Sequence, residues 1–280
     1  MRKLSCLLPM LVLAACAVAP PACAPPGRWL APESLRTVPD PVPQAASHPV
    51  VLLGETHDSA ADHAWQLATI ERLFAADPTL VLGFEMFPRG SQKVLDRWVR
   101  GRLSEPDFLA RTDWKHVWGF DPALYLPIFR FARDHRVPML ALNVSAHLVH
   151  LAGRQGWAGV PVAEREGVGT PAPPSASYRT QLADAMSGHG GPTMTPERLQ
   201  HFIDAQLVWD RAMAEAIAAQ RAREPKRPVV ALMGVGHLEN REGAPHQLEA
   251  LGVRDAVVLL PVGEACTPFS RNYADAVYTR

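Results

Sequence analysis

Two apolar segments that lie far apart in the chain end in the same pattern, Gly-x-x-His. Residues 50–53 lead into Gly54-Glu55-Thr56-His57, and residues 229–233 lead into Gly234-Val235-Gly236-His237. Short apolar runs bounded by glycine are typical of strands that are buried on both faces, as in parallel sheets. Ligands of open α/β sheets bind beyond the carboxyl ends of the strands. The pattern therefore predicts a parallel sheet that carries two histidines at its binding edge.

Strands and helices alternate along the rest of the chain. Further strands are predicted at 79–87, 137–144 and 256–261, with helical periodicity between them. This alternation predicts an α/β fold in which a mostly parallel sheet is covered by helices on both faces. The stretch from about 90 to 225 is more helical than simple crossovers require. We therefore expect a helical insertion in the middle of the chain.

The first residues have the features of an export signal. Met1-Arg2-Lys3 is followed by a short apolar run and then by Leu13-Ala14-Ala15-Cys16. This order is typical of a secretory signal peptide, and the run is too short to cross a bilayer. The last four residues resemble a bacterial lipobox, which implies a signal peptide at 1–15 and a lipid on Cys16. Ala17 then implies an outer-membrane anchor, whereas the alternative is a secreted protein with an incidental cysteine.

Composition indicates the domain organisation and the classes of partner that the chain can be expected to have. A Pro/Ala-rich stretch at 16–48 predicts an extended tether, followed by a single domain at 49–280. Without Arg2 and Lys3, 26 basic residues face 28 acidic ones, and this near-neutral balance argues against a nucleic-acid partner. Cys23 and Cys266 form one disulfide in an oxidising compartment or remain two thiols. Because no Cys-x-x-Cys pair exists, a thiolate zinc site is not expected.

Polar side chains follow several of the predicted strands. A helix over 195–223 adds Gln206 and Asp210 in the middle of its apolar stripe. A buried carboxylate needs a cation, a metal or several hydrogen bonds. The sequence thus predicts a polar crevice with these acid and histidine side chains: Glu55, His57, Glu85, Asp210 and His237. Alternatively, Asp210 lies at the helix edge or pairs with an arginine.

The predicted crevice contains ligands that suit a divalent metal. His57, His237 and Glu85 are of the types that bind zinc or iron, although a His-Glu-x-x-His spacing is absent. A serine hydrolase is disfavoured because no Gly-x-Ser-x-Gly elbow occurs. Dinucleotide binding is disfavoured because Gly234-Val235-Gly236 lacks the third glycine of that fingerprint.

The middle of the chain also carries side chains of the kinds that ligate haem iron. They are Tyr125, His147, His150, Tyr178, His189 and Met194. His189 lies in a glycine-rich break, from which a side chain can project. Any one of these residues taken alone is more often a surface residue.

Five ordered motifs resemble the ChaN family, the iron-regulated haem-binding lipoproteins of the Tiki superfamily. They are the lipobox, Val-Leu-Leu-Gly-Glu-Thr-His-Asp at 51–58, Gly-Phe-Glu-Met-Phe at 83–87, Ala-Gln-x-x-Trp-Asp-x-x-Met-Ala at 205–214 and Met-Gly-Val-Gly-His at 233–237. The resemblance implies a lipid-anchored protein that binds haem at the cell envelope and serves haem-iron uptake. It also implies a homodimer that shares haem.

The wider superfamily implies an alternative function. It contains metal-dependent proteases and erythromycin-esterase-like hydrolases, whose active site corresponds by position to His57, Glu85 and His237, with Glu55 in the first motif. A metal-dependent hydrolase would use one carboxylate as general base, while the histidines bind metal or stabilise an oxyanion. A third hypothesis is that the crevice serves only to maintain the fold.

Overall fold

A seven-stranded sheet organises residues 23–187 and 195–280, which are the residues that the computed structural model describes. The strands are β1 (Trp29–Leu30), β2 (Val50–Glu55), β3 (Val81–Pro88), β4 (Met139–Asn143), β5 (Val229–Gly234), β6 (Ala256–Val262) and β7 (Ala276–Thr279). Their order in the sheet is β1-β7-β6-β2-β5-β3-β4. All neighbouring pairs are parallel except β1 with β7. The predicted mostly parallel sheet is confirmed.

The helices begin largely where the sequence provides caps. They are α1 (Val42–Ala45), α2 (Ala60–Ala76), α3 (Gln92–Val99), α4 (Glu105–Arg111), α5 (Trp114–Val117), α6 (Pro122–Asp134), α7 (Ala146–Gly159), α8 (Ala176–Ser187), α9 (Pro196–Arg223) and α10 (Gly243–Ala250). The side chains of Ser104, Asp121 and Thr195 each accept a first-turn backbone N–H, and a proline occupies the first or second position of each helix. Ser91, the residue before α3, accepts no such bond, because the chain enters α3 through a 3₁₀ turn.

Helices cover both faces of the sheet. Successive side chains of each strand point to opposite faces, so each strand contributes side chains to both layers of packing. Val51 and Leu53 of β2 pack with α2, α3 and α6, whereas Val50 and Leu52 pack with α9 and α10. All four side chains are buried. Burial on both faces explains why this strand is an uninterrupted apolar run.

The helical middle of the chain consists of two long connections. Helices α3 to α6 join β3 to β4, and helices α7 to α9 join β4 to β5. The long helix α9 packs on the sheet and also contacts α7 and α8. None of the helices in the described part of the chain is long and apolar enough to span a membrane.

Residues 23–48 differ from the extended tether that their composition predicts. β1 adds an antiparallel edge strand to β7, and Trp29 is buried with its ring 5.9 Å from that of Trp65. Cys23 forms a disulfide with Cys266. The prediction of an extended tether is therefore wrong for these residues. One buried tryptophan and a covalent cross-link hold this Pro/Ala-rich segment on the domain.

Candidate functional site

Five acid and histidine side chains meet at the carboxyl ends of three adjacent strands, β2, β5 and β3. Register places Glu55 of β2 directly beside Gly234 of β5. The structure brings together the residues of the predicted crevice, which are Glu55 at the end of β2, His57 just after it, Glu85 in β3, Asp210 in α9 and His237 after β5.

His57 and Glu55 form a close pair at one side of this crevice. Nδ1 of His57 lies 2.5 Å from Oε1 of Glu55, whose side chain is fully buried, whereas the His57 side chain is 32% exposed. Burial raises the pKa of Glu55. Burial also opposes protonation of His57, but the hydrogen bond to Glu55 and the charge of Glu85 outweigh it and raise the pKa of His57. One proton is therefore held between Nδ1 and Oε1, and Nε2 of His57 makes no hydrogen bond within the described chain.

A second, buried histidine lies behind this pair. Nε2 of His63 is 3.2 Å from the carbonyl oxygen of His57, and Nδ1 is 3.2 Å from Oε1 of Gln66. The amide nitrogen of Gln66 donates to two β2 carbonyl groups, so its oxygen is the atom that faces His63. Each ring nitrogen of His63 thus faces an acceptor oxygen. Nε2 also lies 3.7 Å from Oε2 of Glu55, an oxygen that makes no hydrogen bond with the described residues.

His237 lies between two carboxylates at the other side of the crevice. Its Nδ1 is 2.7 Å from Oδ1 of Asp210, and its Nε2 is 3.4 Å from Oε1 of Glu85. Burial opposes its charge, but Glu85 and Asp210 outweigh burial and raise the pKa of His237 well above its ordinary value. Burial would raise the pKa of Glu85, yet His237, His57 and a 2.6 Å hydrogen bond from the Gly234 N–H hold it low. The two carboxylates thus favour the protonated form of His237.

Two tyrosines that were predicted as haem ligands contribute to this network. The Tyr178 hydroxyl donates to Oδ2 of Asp210 over 2.7 Å, and the Tyr125 hydroxyl donates to the carbonyl of His57 over 3.1 Å. Both side chains are 1% exposed. Burial and the nearby acids raise the pKa of both phenols, so they remain donors.

Aromatic side chains surround the two histidines. The rings of Trp118 and Phe120 lie 4.7 Å and 5.1 Å from that of His57, and Trp209 lies 5.9 Å from His237. Sequence reasoning did not identify Trp118, Phe120 or His63 as parts of the site. No motif marks them, because their positions depend on how the loop before α6 and the first turn of α2 fold over the strand ends.

Gly234 lets the crevice close tightly. A Cβ atom at this position would lie 2.8 Å from Cε1 of His57 and 3.6 Å from Oε2 of Glu85. Such a contact would force the His57 ring to move. The glycine of the motif is therefore needed for the close approach of a side chain, in addition to the turn that follows the strand.

The predicted metal ligands do not fit a cation. Both nitrogens of His237 face carboxylates, since Nδ1 lies 2.7 Å from Oδ1 of Asp210 and Nε2 lies 3.4 Å from Oε1 of Glu85, so neither nitrogen is open toward a cation. Within the described ranges, the only close cluster of metal-type side chains is Cys23, Glu264 and Cys266. The sulfurs of that cluster form the disulfide, so it offers no thiolate. A divalent metal is not supported.

A profile of the family described as haem-binding uptake, Tiki superfamily, ChaN matches residues 42–248. The chain belongs to this family. The match spans most of the domain, from α1 to α10, and includes the whole crevice.

Solved structures show that the fold is shared more widely. A ChaN from Campylobacter jejuni, described by its cofacial haem binding, superimposes with a TM-score of 0.71 at 18% identity over 89% of this chain and 95% of that one. The type III effector HopBA1 superimposes with a TM-score of 0.51 at 11% identity over 85% of this chain and 90% of that one. An erythromycin esterase EreC mutant in its open conformation superimposes with a TM-score of 0.50 at 12% identity over 84% of this chain and 77% of that one. These likenesses show the fold, and no curated protein matches the chain in sequence.

Of the remaining haem-ligand candidates of this ChaN-family chain, two are among the described residues and are not part of the crevice. His147 and His150 are exposed on α7, where His147 pairs with Glu164 over 3.2 Å and His150 lines a groove. His189 and Met194 lie outside the described residues.

Proposed function

We propose that this ChaN-family protein is a lipid-anchored haem-binding protein of haem-iron uptake at the bacterial cell envelope. The observation that carries the proposal is the match of the haem-binding uptake family to residues 42–248. The similar fold of the Campylobacter jejuni ChaN, which is described as binding cofacial haem, supports it. A homodimer that shares haem belongs to the same proposal.

Two features support export and anchoring. Leu13-Ala14-Ala15-Cys16 follows a charged start and a short apolar run, as in a lipoprotein signal. The Cys23–Cys266 disulfide is of the kind that persists in an oxidising compartment such as the periplasm. We place the lipid on Cys16 and the anchor in the outer membrane.

Haem titration tests the binding function. The chain from residue 17 onward, purified without haem, is expected to give a saturable Soret band with a defined stoichiometry. A sedimentation measurement on the same samples reports whether haem changes the protein from monomer to dimer. If no saturable Soret change occurs, haem binding by this protein is wrong.

Expression of the full chain tests the anchor. The wild-type chain is expected to incorporate labelled fatty acid and to fractionate with the outer membrane. Cys16→Ser is expected to incorporate none and to appear in the soluble periplasmic fraction. A wild-type chain that is soluble and unlabelled would support the alternative of an ordinary secreted protein.

The Glu55–His57 pair supports a second function, hydrolysis without a metal. Glu55 holds Nδ1 of the partly exposed His57, so Nε2 is positioned to act as a general base. The imidazolium of His237 could stabilise an oxyanion. His57→Asn is expected to abolish any turnover found with a panel of esters and peptides. If it changes only the melting temperature, the crevice maintains structure and does no chemistry.

A further inference from the structure

The N-terminal segment is fastened to the domain at the same end of the sheet that carries the crevice. Strand β6 runs parallel to β2, so the carboxyl ends of both strands lie at one edge of the sheet. Cys266 follows the carboxyl end of β6 by four positions and holds Cys23 through the disulfide. Beside this cross-link, the backbone N–H of Ala24 donates to the carbonyl of Ala265 over 2.8 Å. The chain therefore joins the domain on the crevice side.

The residues that follow the disulfide lie against the end of β7. The backbone N–H of Gly27 donates to the carbonyl of Thr279 over 2.8 Å, and the Thr279 hydroxyl donates to the carbonyl of Pro25 over 2.7 Å. The N–H of Arg280 donates in turn to the carbonyl of Val262, the last residue of β6. The entering segment and the ends of two strands thus form one continuous surface.

Arg280 connects this surface with the loop that carries His57. Its Nη1 donates to the hydroxyl of Ser59 over 2.6 Å and lies 2.9 Å from Oδ1 of Asp62. The Asp62 side chain is buried, and its Oδ2 accepts the N–H of Thr56 over 2.8 Å. Thr56 is the residue before His57 in the first Gly-x-x-His motif. The point at which the chain enters the domain is therefore next to the crevice.

These contacts define a crevice rim, which comprises residues 25–28, 56–60 and 263–266. Each of the three segments presents exposed residues. The His57 side chain is 32% exposed within the second segment. A surface that binds the rim consequently faces the opening of the crevice.

Only a short link separates the rim from the lipid that we propose on Cys16. Cys23 follows Cys16 by seven positions, and a fully extended chain spans at most about 3.3–3.6 Å per residue, so the link reaches about 25 Å. An extended tether over the whole of 16–48 would instead reach more than about 100 Å. The disulfide and β1 therefore keep the domain close to the membrane.

The short link also restricts which end of the domain faces the lipid. Helix α2 begins at the crevice rim and ends five positions before β3, at the opposite end of the sheet. Its 17 residues span about 26 Å at 1.5 Å each. If the opposite end faced the membrane, the link would have to extend past all of α2 and the loops beyond it. A link of about 25 Å is too short for that arrangement.

We propose that the crevice rim lies against the lipid surface that carries Cys16, so that the crevice opens toward the membrane. The inference rests on the proposed lipid anchor and adds the orientation of the domain. A ligand that reaches Nε2 of His57 then comes from the layer next to the lipid headgroups.

Two alanines at opposite ends of α2 provide matched positions for a test. Ala60 is the first residue of the helix and Ala76 is the last, and both are exposed. Ala60→Cys and Ala76→Cys each add one free thiol for a fluorescent dye, because the native cysteines of the mature chain are either lipidated or bonded to each other. Circular dichroism of both variants confirms that they are folded.

Quenching by lipid reports the orientation. The full chain, lipidated in cells, is reconstituted into vesicles of phosphatidylethanolamine and phosphatidylglycerol that contain a lipid with a nitroxide on its headgroup. The dye at position 60 should lose several times more fluorescence than the dye at position 76, since roughly 24 Å of helix separates the two positions. A flexible Gly/Ser insert directly before Cys23 should reduce this difference, because the longer link lets either end approach the lipid.

The outcomes separate the orientation from the anchor. If the wild-type chain carries no fatty acid and does not join the vesicles, the proposed anchor fails. If the chain is lipidated and the dye at position 76 is quenched as strongly as the dye at position 60, the anchor stands and the orientation is wrong. If position 60 is unquenched in vesicles but shielded from maleimide in intact cells, the rim faces a protein partner, which also overturns the proposal.

Discussion

Nδ1 of His237 lies 2.7 Å from Oδ1 of Asp210, and the Asp210 side chain is fully buried in α9. A helix residue therefore holds the histidine of a strand-end motif. Tyr178 donates to the second oxygen of the same carboxylate, so α8 is joined to the pair as well. The crevice is a network of buried charges supported by three elements, and its stability should depend on pH.

Asp210→Asn tests this dependence. Breaking the buried pair is expected to lower the free energy of unfolding by roughly 2–4 kcal/mol. The folded pKa of His237 is raised above 6.5, so the contribution of its charge is complete below pH 6.5 and is lost as the pH rises through the folded pKa. The gap between wild type and variant should thus be largest near pH 6 and narrow in alkaline solution. Urea unfolding at several pH values measures this gap, with a substitution of the exposed Asp184 of α8, Asp184→Asn, as the control. A pH-independent gap would contradict the ion pair.

Gly234→Ala tests the close approach in the crevice. The added Cβ would lie 2.8 Å from Cε1 of His57, so the ring must move and its bond to Glu55 must weaken. Overpacking of this kind costs about 1–3 kcal/mol. The NMR titration of His57 should also shift toward a lower pKa, because the Glu55 hydrogen bond helps to raise it. Gly236→Ala is the matched control from the same motif, since a Cβ there meets no atom within 4 Å, and identical behaviour of both variants would refute the contact.

Much of this site could be predicted from patterns that report burial. Apolar runs ending in Gly-x-x-His located two strand ends, and the interrupted stripe of α9 located Asp210 as a buried acid. The partners of these groups could not be predicted, because no local signal shows that Tyr178 reaches Asp210 across two helices. The metal hypothesis is not supported for a related reason. Ligand-type residues can be read from sequence, but sequence does not show that each nitrogen of His237 faces a carboxylate from a different element.

The N-terminal segment shows a different limit. A Pro/Ala-rich composition predicts an extended chain, yet β1 pairs with β7 more than 200 positions away, and Trp29 is buried against Trp65 and Tyr278. Cysteine spacing could not reveal that Cys23 meets Cys266. Such long-range contacts leave no periodicity in the segment itself.

Tyr178→Phe tests the buried hydrogen bond to Asp210. The loss leaves one oxygen of a buried carboxylate without its donor, which should lower the free energy of unfolding by roughly 1.5–3 kcal/mol. Tyr125→Phe removes a bond to a neutral carbonyl and should cost less, about 0.5–1.5 kcal/mol. The two variants lose the same atom from equally buried rings, so their difference reports the charge of the acceptor. Equal losses of stability in urea unfolding would mean that the Asp210 oxygen that accepts from Tyr178 carries no negative charge.

Reduction of the disulfide tests how the N-terminal segment is held. The bond joins residues 243 positions apart and fixes the chain just before a two-residue edge strand. Opening it should lower the free energy of unfolding by about 2–4 kcal/mol, the typical contribution of a disulfide. It should also speed cleavage by trypsin at the exposed Arg28, because the segment is then held only by non-covalent contacts, which include the pairing of β1 with β7 and the buried side chains of β1. The Cys23→Ser/Cys266→Ser variant should show both effects without reductant and no further change with it. If the reduced wild type keeps its full stability and its resistance to trypsin, the non-covalent contacts of Trp29 and its neighbours suffice to hold the segment.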